Sequence, residues 1–457
     1  MNSADFDKLR KRLERPDTLI TDLTEFEKYC HDATEAFSTP AALLLAHSVS
    51  DVRIAVDFCR ENSIPVVPRG AGTGLSGGCV ASSNALVLST ERLAQLLIDT
   101  QAKIAYCGPG LLTKTLQDEA AKSGLAYPPD PASYTEATLG GNVAENAGGL
   151  RCKRYGVTRD YVLGLQAVLM DGSEIHTGLY SQSRGFGLGD VVIGSEGTLA
   201  VITEIAVRLT SELGRGTTLL ASFDRPEDAA RTVSDIIAAG LVPNVMEYID
   251  GRAAELSAAY EHDDSLGKVA AVLLMETAPE SGGRQAELIL RTCRRHHCVT
   301  VRVEQDASQA DKLWAIRRNI SKALKEMAAL RFSEDVAVPV TKFPDLVAYV
   351  AERNAVSPLR VNSFGHIGDG NLHVNFLSMT GTDEDRSLVE SEVDALMVKA
   401  VSLGGTITGE HGVGLAKKKY LSLEFDGPTI AAMEAVKSIF DPNRLLNPDK
   451  IFWASKF

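Results

Sequence analysis

Two short stretches in the last hundred residues hold side chains that could do chemistry. The first runs Gly365-His366-Ile367-Gly368-Asp369-Gly370-Asn371-Leu372-His373-Val374-Asn375; the second runs Gly405-Thr406-Ile407-Thr408-Gly409-Glu410-His411-Gly412-Val413-Gly414. Asn371, His373 and Asn375 alternate, so in a strand they share one face while Leu372, Val374 and Phe376 turn to a core. Asp369-Gly370 reads as a turn, which places His366 at the end of an adjacent strand. Diagonal neighbours across a strand pair lie about 7–8 Å apart, close enough for two imidazoles to share one ion. Glu410 supplies a third ligand from the later loop. Two histidines and a carboxylate with an open position suit catalytic zinc, with iron or manganese as alternatives. His411 is then free to act as a base, since an ordinary imidazole titrates near neutrality.

Far upstream lies a glycine-rich loop, Pro68-Arg69-Gly70-Ala71-Gly72-Thr73-Gly74-Leu75-Ser76-Gly77-Gly78. It contains GxGxxG, but a Rossmann loop must open a helix whose N-terminus meets a pyrophosphate. Here Ser76 to Asn84 is poor helix and leads into a strand. The glycines instead suit a nest, in which successive backbone N–H groups turn onto an anion. A second glycine-dense segment, Pro128 to Gly149, and a third, Gly194 to Leu199, lie in the same half of the chain. Small residues and amides there would let backbone approach a flat ring. Metal, base and phosphate-bearing cofactor together point to redox chemistry on a polar small molecule.

The elements that must position these residues follow from pattern. Residues 4–15 and 20–30 read as helices. Asp51 to Asn62 is an amphipathic helix, with Ser50 as its expected N-cap. Strands are expected at 64–68, 85–89, 103–107, 163–169 and 199–209. Met170-Asp171-Gly172-Ser173 is a hairpin turn with a return strand at 174–177. Polar residues and glycines at 211–216 mark a boundary. Strand and helix then alternate, returning to strands at 360–365 and 371–377. That alternation fits an antiparallel sheet covered by helices on one face. The expected division is 1–212, 213–410 with the metal site, and a segment 411–457 returning to the first domain.

Composition narrows the class. A chain of 457 residues exceeds one ordinary core. A net charge of −13 argues against nucleic-acid binding. No apolar run is long enough to span a bilayer, and the N-terminal residues lack the apolar centre of a secretory signal. The expected location is cytoplasmic, with peripheral contact at the inner membrane face left open. The cysteines number 7, scattered and without CxxC, which indicates reduced thiols and no iron–sulfur cluster in this chain. Cys293-Arg294-Arg295-His296-His297-Cys298 reads as a helix end followed by a strand, because no second ligand pair accompanies it.

The segments PRGAGTGLSGG, PPDPAS, TLGGNVAENAGG, YGVTRDYVLGL and GSEGTLAVIT resemble the FAD-binding domain of the vanillyl-alcohol oxidase and p-cresol methylhydroxylase flavoproteins. The later GHIGDGNLHVN, TGEHGVG and FDPNRLLNPDKIF resemble the D-2-hydroxyacid dehydrogenase branch, which includes D-lactate dehydrogenase, D-2-hydroxyglutarate dehydrogenase and glycolate oxidase. The resemblance implies an α+β fold: a two-subdomain FAD-binding domain with an antiparallel-sheet cap. It implies a pyrophosphate cradle from Pro68 and Arg69 to Gly74 and from Ser76, Gly77 and Gly78. The flavin would be lined by Pro131, Ser133, Thr138, Gly140, Gly141, Asn142, Asn146 and Gly148, with Glu196 and Ile202 nearby and Asn447 returning to the ring. A first glycine loop without histidine favours dissociable FAD, Cys79 being its only nearby reactive side chain.

By the same resemblance, His411 takes the hydroxyl proton as hydride leaves for flavin N5, and Asn375 orients substrate. Arg317 would grip the substrate carboxylate, with Arg318 as its alternative and Ser321, one turn on, assisting. Ser333 stands where relatives acting on five-carbon diacids tend to carry lysine, which leans toward D-lactate or glycolate. The electron acceptor stays open among a quinone, a cytochrome, an electron-transfer flavoprotein and an iron–sulfur partner, and a homodimer is left open. The other readings are a D-2-hydroxyglutarate dehydrogenase, an alkylglycerone-phosphate synthase-like flavoenzyme, which would have paired histidines at Glu410-His411, and a non-catalytic flavin subunit.

Overall fold

The structure is a computed structural model, and it describes residues 3–453 apart from 182–186 and 263–267. The chain forms two compact units. The first comprises Met1–Gly148, Gly156–Leu213 and Glu410–Phe457; the second comprises Gly149–Tyr155 and Gly214–Gly409. The two units part after Leu213 and after Gly409, where the sequence reading places its divisions after 212 and 410. What the sequence concealed is the short excursion 149–155, whose Leu150 packs into the core of the second unit.

The first unit is built on two sheets. Four strands order as Leu19–Ile20, Ala42–Leu45, Leu86–Ser89 and Val66–Arg69, the last three mutually parallel. The helix Val49–Glu61 carries the chain over from Ala42–Leu45 to Val66–Arg69, which run parallel on either side of Leu86–Ser89. Strands covered on both faces read as unbroken apolar runs, and Ala42–Leu45 is buried throughout. The helix is capped by Ser48 and not by Ser50: the Ser48 hydroxyl accepts from Asp51 N while Asp51 answers the Ser48 amide. The first predicted helix stops at Arg10, and 20–30 is not helical beyond a 3-10 turn at Glu27–Tyr29. The second sheet is antiparallel, ordered Leu96–Asp99, Ile104–Cys107, Val201–Arg208, Val162–Val168 and Glu174–His176. Its last hairpin turns where expected, with Asp171 Oδ1 accepting from Ser173 N at 2.8 Å.

The returning C-terminal segment is stitched into this unit. Val66 N donates to Leu445 O and Asn447 N to Val66 O, so 445–447 extends the edge of the parallel sheet. Buried Lys437, on helix Gly427–Phe440, donates to Thr198 O, Asp441 and Leu446 O.

The second unit centres on a seven-stranded antiparallel sheet, ordered Thr300–Glu304, Thr218–Phe223, Ala271–Glu276, Val245–Asp250, Arg360–Gly365, Asn371–Ser378 and Leu330–Ala337. Helices cover both faces, not one. On one face, helices Gly251–Tyr260 and Ala307–Met327 pack Ala253, Leu313, Ile316 and Ile320 against Leu220, Val272, Ile249 and Phe364. On the other, Phe343 of helix Phe343–Val356 meets Tyr248 edge-on at 5.8 Å. The sequence showed that every strand was apolar but not that both parities were. The Cys293 segment is a helix end followed by a strand, as expected.

Candidate active site

In the second unit the site is a change of character along one sheet face. Cross-strand partners in an antiparallel pair share a face. The pairs Ile249 with Phe364, Phe364 with His373, His373 with Asp335, and Asn375 with both Asn362 and Ser333 therefore look the same way. Under the helices this face is apolar; toward the Asn371–Ser378 edge it becomes polar. His366 follows the end of its strand, and Gly370, at φ +86°, closes the turn where a Cβ would strike the Val338 carbonyl.

The two imidazoles are buried, 7% and 6% exposed, with rings edge-on at 5.5 Å. Their available nitrogens come within 4.8 Å. His366 Nδ1 lies 2.6 Å from Glu247 Oε1. A carboxylate oxygen accepts, so Nδ1 carries the proton, which fixes the tautomer and makes Nε2 the lone-pair nitrogen that a metal ligand needs. Glu247 Oε2 accepts from Arg317 Nε at 2.5 Å. Burial pushes the Glu247 pKa up, but Arg317 and then His366 outweigh it and hold the carboxyl below its usual range. Arg317, its guanidinium 4.8 Å from the Phe364 ring centre, thus has its charge offset inside the protein. Arg318 is exposed and donates to Asp311 O on its own helix, which removes it as the alternative. Ser321 and Asn375 meet a residue with no distinguishing mark in the sequence: Arg331 donates Nε to Asn375 Oδ1 at 2.8 Å, Nη1 to Ser321 O at 3.1 Å and Nη2 to Ser321 Oγ at 3.3 Å.

The first unit holds a cleft walled by all three glycine-rich segments. Pro68 to Gly74, Gly78, Pro131, Ser133, Thr138, Gly140, Gly141, Asn142, Gly148, Glu196 and Ile202 line it, and so do Glu410 and His411. Two walls touch where the Gly70 backbone meets the Thr138 side chain: a Cβ on Gly70 would overlap the Thr138 hydroxyl. Among the described residues, none of the amides of Gly70 to Gly74 donates a hydrogen bond within the chain. Consecutive free amides facing a cleft are donors for an anion. They fit a pyrophosphate better than Arg69 does, because that guanidinium turns inward to His31 O, Lys28 O and Cys79 Sγ. Asp32 Oδ2 and Glu145 Oε2 are buried acceptors without a partner, suited to the hydroxyl and N–H donors of a nucleotide-type cofactor.

Four expected cofactor contacts lie behind the walls instead. Ser76 O accepts from Leu415 N, and Gly77 packs under the Leu415 side chain. Asn146, at φ +52°, ends helix Leu139–Glu145 and accepts from Arg159 N. Asn447 Nδ2 donates to Gly78 O at 2.9 Å and to Glu196 O at 2.8 Å, tying two walls together. Glu196 lines the cleft, yet its carboxylate accepts from Val413 N and Gly414 N. Burial still raises its pKa against those bonds.

The residues missed from sequence are mostly carboxylates. Asp335, fully buried, accepts from Gly409 N at 2.7 Å and anchors the chain just before Glu410, as Glu196 does just after His411. Glu145 lines the cleft; burial first, then Glu196 and Asp32, push its pKa well above the usual range. Glu247 had left a signal: it stands between Val245 and Ile249 at the parity that faces the core.

This is the fold of the flavoproteins that join a glycine-walled FAD-binding domain to an antiparallel-sheet domain. Residues 40–178 match the FAD binding domain family, and residues 215–451 match the C-terminal domain of FAD linked oxidases. The chain is 38% identical to a glycolate oxidase subunit GlcD of Bacillus subtilis, with 93% of this chain and 92% of that protein covered. It is 33% identical to a D-lactate dehydrogenase of Anaerostipes hadrus, covering 93% and 92%. It is also 33% identical to a D-2-hydroxyglutarate dehydrogenase of Xanthomonas citri, covering 95% and 94%. The solved structure of p-cresol methylhydroxylase with substrate bound superimposes with a TM-score of 0.82 at 14% identity, covering 99% of this chain and 97% of that one, a likeness of fold alone. The chain belongs to the FAD-linked oxidases, in the branch of the D-lactate, glycolate and D-2-hydroxyglutarate dehydrogenases, and is an FAD-linked oxidoreductase. No helix among the described residues is long and apolar enough to cross a membrane.

Proposed function

We propose that this protein oxidises a D-2-hydroxyacid to the 2-oxoacid, with D-lactate or glycolate the favoured substrate. The observation that carries the reading is the Arg317–Glu247–His366 chain, which orients the His366 imidazole so that its ligand nitrogen lies within 4.8 Å of that of His373. A ligand imidazole whose other nitrogen is held by a carboxylate is oriented and made more basic. His366, His373 and Glu410 would hold one divalent ion, zinc favoured, iron or manganese as alternatives. Such an ion lowers the pKa of a bound hydroxyl. Bound FAD supplies the acceptor for the hydride leaving the α-carbon. His411, lining the FAD cleft, takes the hydroxyl proton, and the outer nitrogens of Arg317 engage the substrate carboxylate.

The flavin is held noncovalently. Cys79, the one reactive side chain of the first loop, is a poor nucleophile here: burial pushes its thiol up to about 11, and its Sγ already accepts from Arg69 at 3.0 Å. Electrons then leave to a quinone, cytochrome, electron-transfer flavoprotein or iron–sulfur partner. The second reading is a D-2-hydroxyglutarate dehydrogenase, favoured by the additional cation Arg331 beside Asn375. The test is anaerobic flavin bleaching across a panel of D- and L-2-hydroxyacids with glycolate. Bleaching by D-lactate or glycolate supports the first reading, and bleaching by D-2-hydroxyglutarate alone supports the second. No bleaching by any member overturns both.

A further inference from the structure

Arg331 opens the edge strand Leu330–Ala337, and its side chain reaches across to the neighbouring strand. Every group it meets is neutral: the Asn375 amide oxygen, the Ser321 carbonyl and the Ser321 hydroxyl. Among the described residues no carboxylate lies within ion-pairing distance of it. Burial alone acts on it, pushing its pKa down to about 10, so it stays cationic at neutral pH. Arg317, on the helix Ala307–Met327, is the opposite case, with Glu247 against its Nε.

Asn375 adds an independent observation. It is fully buried, and its Nδ2 has no hydrogen-bond partner. Its orientation is dictated: Arg331 Nε can only donate, so Oδ1 must face it and Nδ2 must point away. A buried donor without an acceptor beside a cation without a counter-charge is a place prepared for an anion with more than one oxygen. Three of the five guanidinium N–H groups are used by Ser321 and Asn375, which leaves one on Nη1 and one on Nη2 to donate to a ligand.

We infer that Arg331, held by Ser321 and Asn375, is a carboxylate-binding residue of the substrate site. The inference rests on the hydroxyacid reading above for the identity of the ligand. Ser333, two residues on, faces the same way on the same strand, so a cation is present at this edge even though position 333 carries none. The carboxylate could be the one next to the reacting carbon or the distal one of a diacid.

The test is Arg331→Gln and Arg331→Lys in the flavin-bound protein, compared by flavin reduction with D-lactate and with D-2-hydroxyglutarate, and by calorimetric binding of oxalate. Loss of a charge-assisted contact predicts a rise of about 10- to 100-fold in KM, with a smaller change in the limiting reduction rate. Lysine should restore only part of it, because a point charge cannot keep the planar contacts to Asn375 and Ser321 and meet a carboxylate as well. A rise with both substrates places Arg331 on the carboxylate beside the reacting carbon; a rise with D-2-hydroxyglutarate alone places it on the distal one. Oxalate affinity should fall in step if the first holds. If the parent bleaches and Arg331→Gln matches it in KM for both substrates and in oxalate affinity, the inference is wrong. A parent that bleaches with neither substrate sinks the hydroxyacid reading instead, and oxalate binding lost in Arg331→Gln would still uphold the carboxylate subsite. Unchanged oxalate binding there would overturn it as well. Ser321→Ala removes one brace without removing charge and should give a smaller rise, which separates local disturbance from loss of the cation.

Discussion

At the residue scale, the second unit's site is governed by one carboxylate that bridges two roles. Glu247 is 0% exposed and joined to both Arg317 and His366. Removing one partner of a buried pair leaves an uncompensated charge, worth about 3–5 kcal/mol. Glu247→Gln should therefore lower stability by roughly that amount in urea titration, and weaken divalent-metal binding about 10–100-fold. Unchanged stability would mean that Arg317 finds another counter-charge. His411→Ala bears on the proton. General-base loss typically slows a reaction about 10²–10⁴-fold. Stopped-flow flavin reduction should slow by that order, with FAD content intact; a rate within a few-fold of the parent would make His411 a ligand or a structural residue.

At the element scale, short helices and loops place the reactive groups, and their ends can be tested. Ser48 and Asp51 form a reciprocal cap on helix Val49–Glu61. Ser48→Ala should lower stability by about 1 kcal/mol, whereas Ser50→Ala should do little. Glu145 ends helix Leu139–Glu145 in the cleft, and burial holds its pKa well above the usual range. In the unfolded chain it ionises near its ordinary pKa, about 4.3. Below that pH both states hold the proton and nothing is lost. As pH rises above it, the unfolded state releases the proton first, and the folded state loses stability until its own raised pKa is reached, on the order of 1 kcal/mol per pH unit. Glu145→Gln lacks this titration. Melting temperatures of variant and parent should thus diverge in the variant's favour as pH rises above about 4, and a constant gap would show that Glu145 ionises normally.

At the scale of the whole molecule, the division of labour between units yields a separable prediction. The cofactor cleft is walled by the first unit, and the paired histidines belong to the second. Chelation should abolish turnover while the visible flavin spectrum persists, because the three glycine-rich segments contain no expected ligand and Glu410 is the single expected ligand that also lines the cleft. Elemental analysis should find about one divalent ion per chain before treatment; full activity without metal would end the metal role. Acid precipitation should leave the flavin in the supernatant, as expected for a loop whose only thiol is buried and protonated. Colour in the pellet would contradict that assignment.

The sequence by itself determined what depends on short spacing. Alternation put His373 and Asn375 on one face, and glycine runs marked the three cleft walls. The stretch 20–30 reads as helix because its composition is compatible with one, but tertiary packing uses it as strand and 3-10 turn. Only the tertiary structure decided who meets whom. Glu247 lies 119 positions from His366, Glu196 lies 217 positions from Val413, and Asp335 lies 74 from Gly409. No local pattern encodes such pairings, because a buried carboxylate is made tolerable by donors that arrive from elsewhere in the chain. The same holds for Arg331: in sequence it is one more surface-type cation, and only the fold, by half-burying it beside Asn375 without a counter-charge, makes it a candidate to hold a ligand.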